Sequence, residues 1–251
     1  MASPEPDRAP RPFPSTQWSL VLRSRGTGEE ARRALADLCQ TYWFPLYAWC
    51  RRSGLSPVDA EDAVQGFFVE VLQKHLFTQA EAARGSLRGF LLTALRRHVK
   101  DQRQKSQCER RGGGRLVSFD ALEAESWYAE SHIDGENADH LYDRQWALTV
   151  LDKALNVVES PFVTSGKSHH FSVMRRYLTE SDTQNSLASD AALLGMSQGT
   201  LKVAIHRLRT KFRHALRLEV AQTQDTSDSE TDLESEIAYL LKALARNSSP
   251  A

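Results

Sequence analysis

Between Gln198 and Arg217 the chain places Lys202, Arg207, Arg209, Lys211, Arg213 and Arg217 with no Asp or Glu among them. Cations arrayed this way do electrostatic rather than covalent chemistry: they sit on phosphates and release the counterions around a nucleic acid. A second basic run, residues 84–115, holds ten Lys/Arg against Asp101 and Glu109. Within it Arg96, Lys100 and Arg103 follow at intervals of four and three, which aligns them along one side of a helix. The acidic cluster Asp59, Glu61 and Asp62 would suit a metal or an acid/base pair, yet no His, Lys or nucleophile accompanies it at useful spacing. Acids in a first helical turn meet the helix dipole favourably, about 0.3–1 kcal/mol each, and that accounts for two of the three. We therefore expect no catalytic residue, no metal site and no cofactor.

These side chains need helices to position them. Leu201, Ile205, Leu208, Phe212 and Leu216 recur at helical spacing beneath the first set of cations, and Ser197 is a good N-cap. Just upstream, Leu187 to Leu194 forms a short apolar helix joined through Gly195 and Met196. Helix, tight turn, cationic helix is the pattern of a DNA-reading helix-turn-helix. In the second basic run Leu87, Phe90, Leu91, Ala94, Leu95 and Val99 point inward and leave the cations outside. Ser56-Pro57-Val58-Asp59 is a helix start, with Ser at the N-cap and Pro at the first helical position. Behind it Ala60, Val64, Phe67, Phe68, Val71 and Leu72 supply core.

From Trp18 to about Lys105 the periodicity is helical throughout, with helices expected at about 16–23, 29–52, 57–74 and 85–106, and β-type alternation is absent there. The expected fold is all-α: two small helical domains joined by a flexible linker. Residues 1–14 form a Pro-rich disordered lead and 15–108 the first domain. The Gly112–Gly114 triplet opens an acidic linker over 109–144. Residues 145–218, with a polar loop at 159–170, form the second domain, and 219–251 an acidic tail with a short amphipathic helix.

The formal net charge of zero conceals this segregation: residues 219–236 carry seven acids and no cation. Basic blocks on a neutral chain imply phosphate-facing surfaces beside acidic segments able to cover them. The three cysteines, Cys39, Cys50 and Cys108, show no metal-ligand spacing and cannot all pair, which suits a reducing cytoplasm. No apolar run approaches the ~20 residues that span a bilayer, and the N-terminus lacks a signal peptide's apolar core.

The segment Asp59-Ala60-Glu61-Asp62-Ala63-Val64-Gln65-Gly66-Phe67-Phe68, a basic helix, a linker and then Gly195-Met196-Ser197-Gln198-Gly199-Thr200-Leu201-Lys202 with His206-Arg207-Leu208-Arg209 resemble a bacterial RNA polymerase sigma factor. The similarity is to the extracytoplasmic-function group, which keeps only the second and fourth sigma domains. Trp18-Ser19-Leu20, Tyr42-Trp43-Phe44-Pro45-Leu46-Tyr47, the glycine triplet and Glu219-Val220-Ala221-Gln222-Thr223 resemble a planctomycete-type branch. The match covers roughly residues 16–223.

The resemblance implies that Asp59, Glu61, Asp62, Gln65 and Phe68 bind core RNA polymerase, on the clamp coiled-coil of its largest subunit. It implies that Arg84, Arg88, Phe90, Arg96, Arg97, Lys100 and Arg103 belong to the part that opens and reads the minus-ten element. Gln198, Thr200, Lys202, Val203, His206, Arg207 and Arg209 fall on the helix that enters the major groove at the minus-thirty-five element. The partners implied are core RNA polymerase and promoter DNA, with an anti-sigma factor or other regulator as a further candidate. No membrane is involved, and the free chain is expected to be a monomer. One departure is that the melting segment, Ser86 to Arg97, carries only Phe90 as an aromatic.

Two other readings fit parts of the sequence. A stand-alone helix-turn-helix regulator would need a dimerisation or ligand domain where the N-terminal half instead offers an acidic and a basic helix. A recombinase or nuclease would need a nucleophile or metal-binding carboxylates beside the cations. The C-terminal stretch 233–246 has an apolar face too small to fold alone. It is expected to serve either as a flap on its own domain or as a regulatory segment that masks the DNA-binding face or meets a regulator.

Overall fold

The computed structural model describes residues 29–73, 86–106, 121–131, 135–178, 184–224 and 230–245, all helices and the turns between them. The helices are α1 (Glu29–Arg52), α2 (Pro57–Gln73), α3 (Leu87–Ser106), α4 (Ala121–Ser131), α5 (Ala138–Thr164), α6 (Ser168–Arg175), α7 (Gln184–Leu193), α8 (Gln198–Gln222) and α9 (Glu230–Ala245). A single 3-10 turn, Arg176–Leu178, follows α6. No strand occurs among the described residues, so the all-α expectation holds there. The helix expected at 16–23, the glycine triplet and Arg84 lie outside the described residues.

Local chemistry sets the helix ends. Ser56 Oγ accepts from the Asp59 backbone N–H at 3.1 Å and donates to its carboxylate at 2.6 Å, which caps α2 as its sequence predicts. Glu29 and Glu30 open α1 while Arg51 and Arg52 close it, each sign at the favourable end of the dipole. The residues expected as a polar loop at 159–170 instead finish α5 and begin α6. Gly166, at φ +69°, supplies the left-handed turn between them, with the Lys167 N–H on the Phe162 carbonyl at 2.7 Å. Phe162 and Phe171 then pack across it at 5.5 Å.

Two apolar clusters form. The first gathers α1, α2, α3 and the front of α5 around Tyr42, Leu46, Tyr47, Phe67, Leu91, Leu95 and Trp146. Tyr42 and Trp146 stack at 4.2 Å and 9°, a contact worth about 0.5–1.5 kcal/mol beyond the area it buries. Cys39 and Cys50 are buried here as free thiols, and burial pushes both up to about 12, far from reactive thiolates. The second cluster joins the rear of α5 to α6, α7 and α8 through Ala154, Val158, Phe171, Met174, Leu187, Leu194, Leu201, Ile205 and Leu208.

The clusters share helices. The 27-residue α5, roughly 40 Å long at 1.5 Å per residue, starts in the first and ends in the second. The α8 helix runs the other way: Leu201 to Ala215 lie in the second cluster and Val220 in the first. Residues 121–131 and 138–144, expected as flexible linker, are helical in α4 and α5. Leu141 through Ala147 are buried without a break, so α5 is covered on every side where it enters the first cluster. The α9 helix lies over α5 and α8, with Leu233, Ile237, Leu240 and Leu244 facing the first cluster.

Candidate nucleic-acid interface

The unit formed by α7, a tight turn and α8 is built by four local devices. Leu187 and Ala191 of α7, with Leu194 in the turn after it, bury against Leu201 and Ile205 of α8. Gly195, at φ +63°, makes the turn, and the Met196 N–H reaches back to the Ala191 carbonyl at 2.9 Å. Ser197 Oγ caps α8 by accepting from the Thr200 N–H at 3.1 Å. Behind α7, the buried Asp190 takes the Tyr177 hydroxyl and the Arg176 guanidinium, which pins the 3-10 turn to the motif.

On this frame Gln198, Thr200, Lys202, Val203, His206 and Arg207 are exposed, on the first three turns of α8. They lie opposite Leu201, Ile205 and Leu208, so the apolar stripe sorts core from surface. Val203, 51% exposed, is an apolar group amid polar and cationic side chains. Arg209 differs from its neighbours. It is half-buried and its Nε donates to the Tyr177 carbonyl at 2.8 Å, so it ties α8 to the 3-10 turn. Lys211 and Arg213 continue the exposed basic face, while Arg217 is paired with Glu230 and Glu234 of α9.

The predicted minus-ten residues divide more sharply. Arg97 and Lys100 are exposed on α3, with Arg103 beside them donating to the Ser53 carbonyl at 3.4 Å. With Arg96, Lys100 and Arg103 border an open hollow of about 360 Å³ whose floor includes Trp49 and Val99. Arg96 lies 5.8 Å from the Trp49 ring centroid and pairs with Asp139 at the start of α5. Burial works to raise the Asp139 carboxyl, but hydrogen bonds from Arg96 and Trp49 Nε1 hold it below the usual range. Phe90 is half-buried against the first cluster.

Arg88, expected on the open face, is not there. Its side chain is only 14% exposed. Nη1 meets Asp143 of α5, and Nε and Nη2 face Glu236 of α9 at 3.1 and 3.5 Å. The guanidinium lies 4.5 Å from the Tyr239 ring centroid, and the Tyr239 hydroxyl donates to Asp143. Burial would lower the Arg88 pKa, yet the Glu236 hydrogen bond and the two carboxylate charges raise it above its ordinary value. The cause is tertiary: acids from two later helices, Asp143 and Glu236, close over this position.

The predicted polymerase-binding residues also separate. Asp59 and Asp62 are exposed on α2 and Gln65 is half-buried. Glu61 is buried and accepts from Gln65 Nε2 at 2.9 Å. Phe68 is a core residue packed on Phe67, so its ring is turned away from any partner on this surface.

Further acids pair with cations outside the two basic helices, on arginines that no local pattern singles out. Glu125 of α4 accepts from Arg51 Nε and from the Tyr47 hydroxyl, both at 2.8 Å. Glu136 pairs with Arg144 at 2.6 Å. Charge segregation was the available signal: the acidic stretch 120–143 had to lie on something basic. Among the described residues no group of three or more His, Cys, Asp or Glu side chains is arranged to hold a metal ion, and no helix is long and apolar enough to cross a membrane. Comparison of the chain with protein-family models, with curated proteins and with solved structures found no match in any of the three.

Proposed function

We propose that this chain is a sigma factor of the extracytoplasmic-function type: it joins core RNA polymerase, selects promoters and opens the strands without performing bond chemistry. The observation that carries the reading is the capped α8 helix of a helix-turn-helix, whose exposed face offers Gln198, Thr200, Lys202, Val203, His206 and Arg207 with no acid among them. Such a face is suited to the major groove, with donors for base edges and phosphates. A second basic face, formed by Arg96, Arg97, Lys100 and Arg103 on α3, supports contact with the minus-ten region. Asp59 and Asp62, exposed at the start of α2, support docking to a basic polymerase surface such as the clamp coiled-coil. In this reading the chain works in the cytoplasm and is a monomer when free, with an anti-sigma factor as a further partner.

The carboxylates of α5 and α9 on Arg88, Arg96 and Arg217 support a further expectation, that the free chain binds promoter DNA poorly and gains affinity with polymerase. The test is in vitro transcription with core enzyme on genomic fragments, mapping start sites with and without the chain. New start sites that depend on it are expected, together with co-purification with core polymerase. Polymerase that ignores the chain and initiates nowhere new would overturn the reading. A promoter footprint by the free chain equal to that of the holoenzyme would favour a stand-alone regulator instead.

A further inference from the structure

We propose that α9 is an acidic clasp that occupies one cation from each basic helix at once, so that DNA gains Arg88 of α3 and Arg217 of α8 together when α9 lifts away. The proposal rests on the reading of α3 and α8 as DNA-facing helices and adds the device that regulates them.

The contacts mimic the ligand. Glu236 sets its two carboxylate oxygens against the Nε–Nη2 edge of Arg88, at 3.1 and 3.5 Å, the donor edge that a phosphate takes in a bidentate contact. In the preceding turns of the same half of α9, Glu230 and Glu234 take the two terminal nitrogens of Arg217. Asp143 stays with Arg88 when α9 leaves, because it belongs to α5, so release frees one edge of the guanidinium and keeps the other anchored. Tyr239 leaves with α9, and both Arg88 and Asp143 lose that cover.

The hold of α9 is modest enough to be reversed. Its apolar side, Ile237, Leu240, Leu241 and Leu244, lies over a shallow groove lined by Ala147, Val150 and Val220. Only Leu240 of α9 is fully buried, while Tyr239 and Leu241 remain 44% and 49% exposed. A helix of 16 residues held this way is marginal without its neighbours. The two basic helices also touch directly, since the Leu87 N–H at the start of α3 donates to the Thr223 carbonyl at the end of α8 at 2.9 Å. One element therefore spans both, and phosphate arriving at either cation weakens α9 at the other, a reciprocal coupling.

The test uses the full-length free chain and the variant Glu230→Gln/Glu234→Gln/Glu236→Gln, which keeps the helix and removes its charge. Binding to a labelled duplex of mixed sequence is measured across a salt series. The variant should bind at least about tenfold tighter at low salt, with a log–log slope steeper by about 0.9 for the fully freed Arg217 and by a smaller increment for Arg88, which Asp143 still holds. In parallel, hydrogen exchange of residues 230–245 in the unaltered chain should lose protection on saturation with the same duplex. This second measurement decides alone if the variant fails to fold. An unchanged slope in a folded variant, no duplex binding by it, or α9 protection that survives DNA saturation overturns the clasp. Neither measurement contains polymerase, so a failed clasp leaves the transcription assay untouched. Conversely, α9 release by DNA in a chain that polymerase ignores would sink the initiation reading alone.

Discussion

Arg207 and Arg209 stand two positions apart on α8, carry the same group and differ in everything else. Arg207 is exposed on the face that holds Lys202 and His206, whereas Arg209 is half-buried on the Tyr177 carbonyl. Arg207→Ala should lower duplex affinity and reduce the salt slope by about 0.9, with the melting temperature unchanged. Arg209→Ala should instead cost about 1 kcal/mol of stability by leaving that carbonyl unpaired, and shift the melting midpoint by a few degrees. Thermal melts beside a salt-series binding assay separate the two effects. A melting temperature that responds equally to both changes would refute the division of roles.

At the scale of elements, α4 and the front of α5 are held by carboxylates on arginines of the first cluster. The Arg51 hydrogen bond, opposed by burial and aided by Tyr47, holds the Glu125 carboxyl below its ordinary value. Asp139 is lowered as well, its bonds to Arg96 and Trp49 outweighing its burial. A carboxyl lowered in the folded state stabilises the fold above its unfolded pKa and loses that contribution as pH falls through the folded value. Stability should therefore be level at neutral pH and decline on acidification through and below the ordinary carboxylate range. Both pairs are partly exposed, so each contributes about 1 kcal/mol or less. Glu125→Gln/Asp139→Asn should lower the melting temperature at neutral pH and flatten its acid limb. An acid limb as steep as that of the unaltered chain would show that other groups carry it.

For the whole molecule, the consequence of shared helices is cooperativity. Two modules on a free tether would unfold separately, each with its own midpoint. Here α5 and α8 belong to both apolar clusters, and Leu216 packs against both. Breaking either cluster exposes the other's helices, so a single unfolding transition is expected. The described tryptophans, Trp43, Trp49, Trp127 and Trp146, lie on α1, α4 and α5, three of them buried in the first cluster, whereas helical circular dichroism reports every helix. In a urea titration the fluorescence and dichroism midpoints should coincide. Separated midpoints would mean that the second cluster melts by itself.

The periodic helices were legible before any fold was known. Residues 29–52, 57–73 and 87–106 bury one face each, and a half-buried helix writes its period into the chain. The Ser56 and Ser197 caps were legible for the same local reason, because a cap bonds only three residues ahead. The front of α5 was not: Leu141 through Ala147 are all buried, Asp143, Arg144 and Gln145 included, so no apolar stripe marks that turn. Its polar residues are tolerable only because Arg88 and Glu136 answer two of them, and those partners are remote or lie outside the helix. Periodicity and charge are properties of neighbouring residues, so the helical character of the described segments and the cationic nature of two of their helices were already written in the sequence. Which cations are paired and which are not was decided by tertiary packing, because Asp139 reaches Arg96, and Asp143 and Glu236 enclose Arg88, only once α5 and α9 lie beside α3.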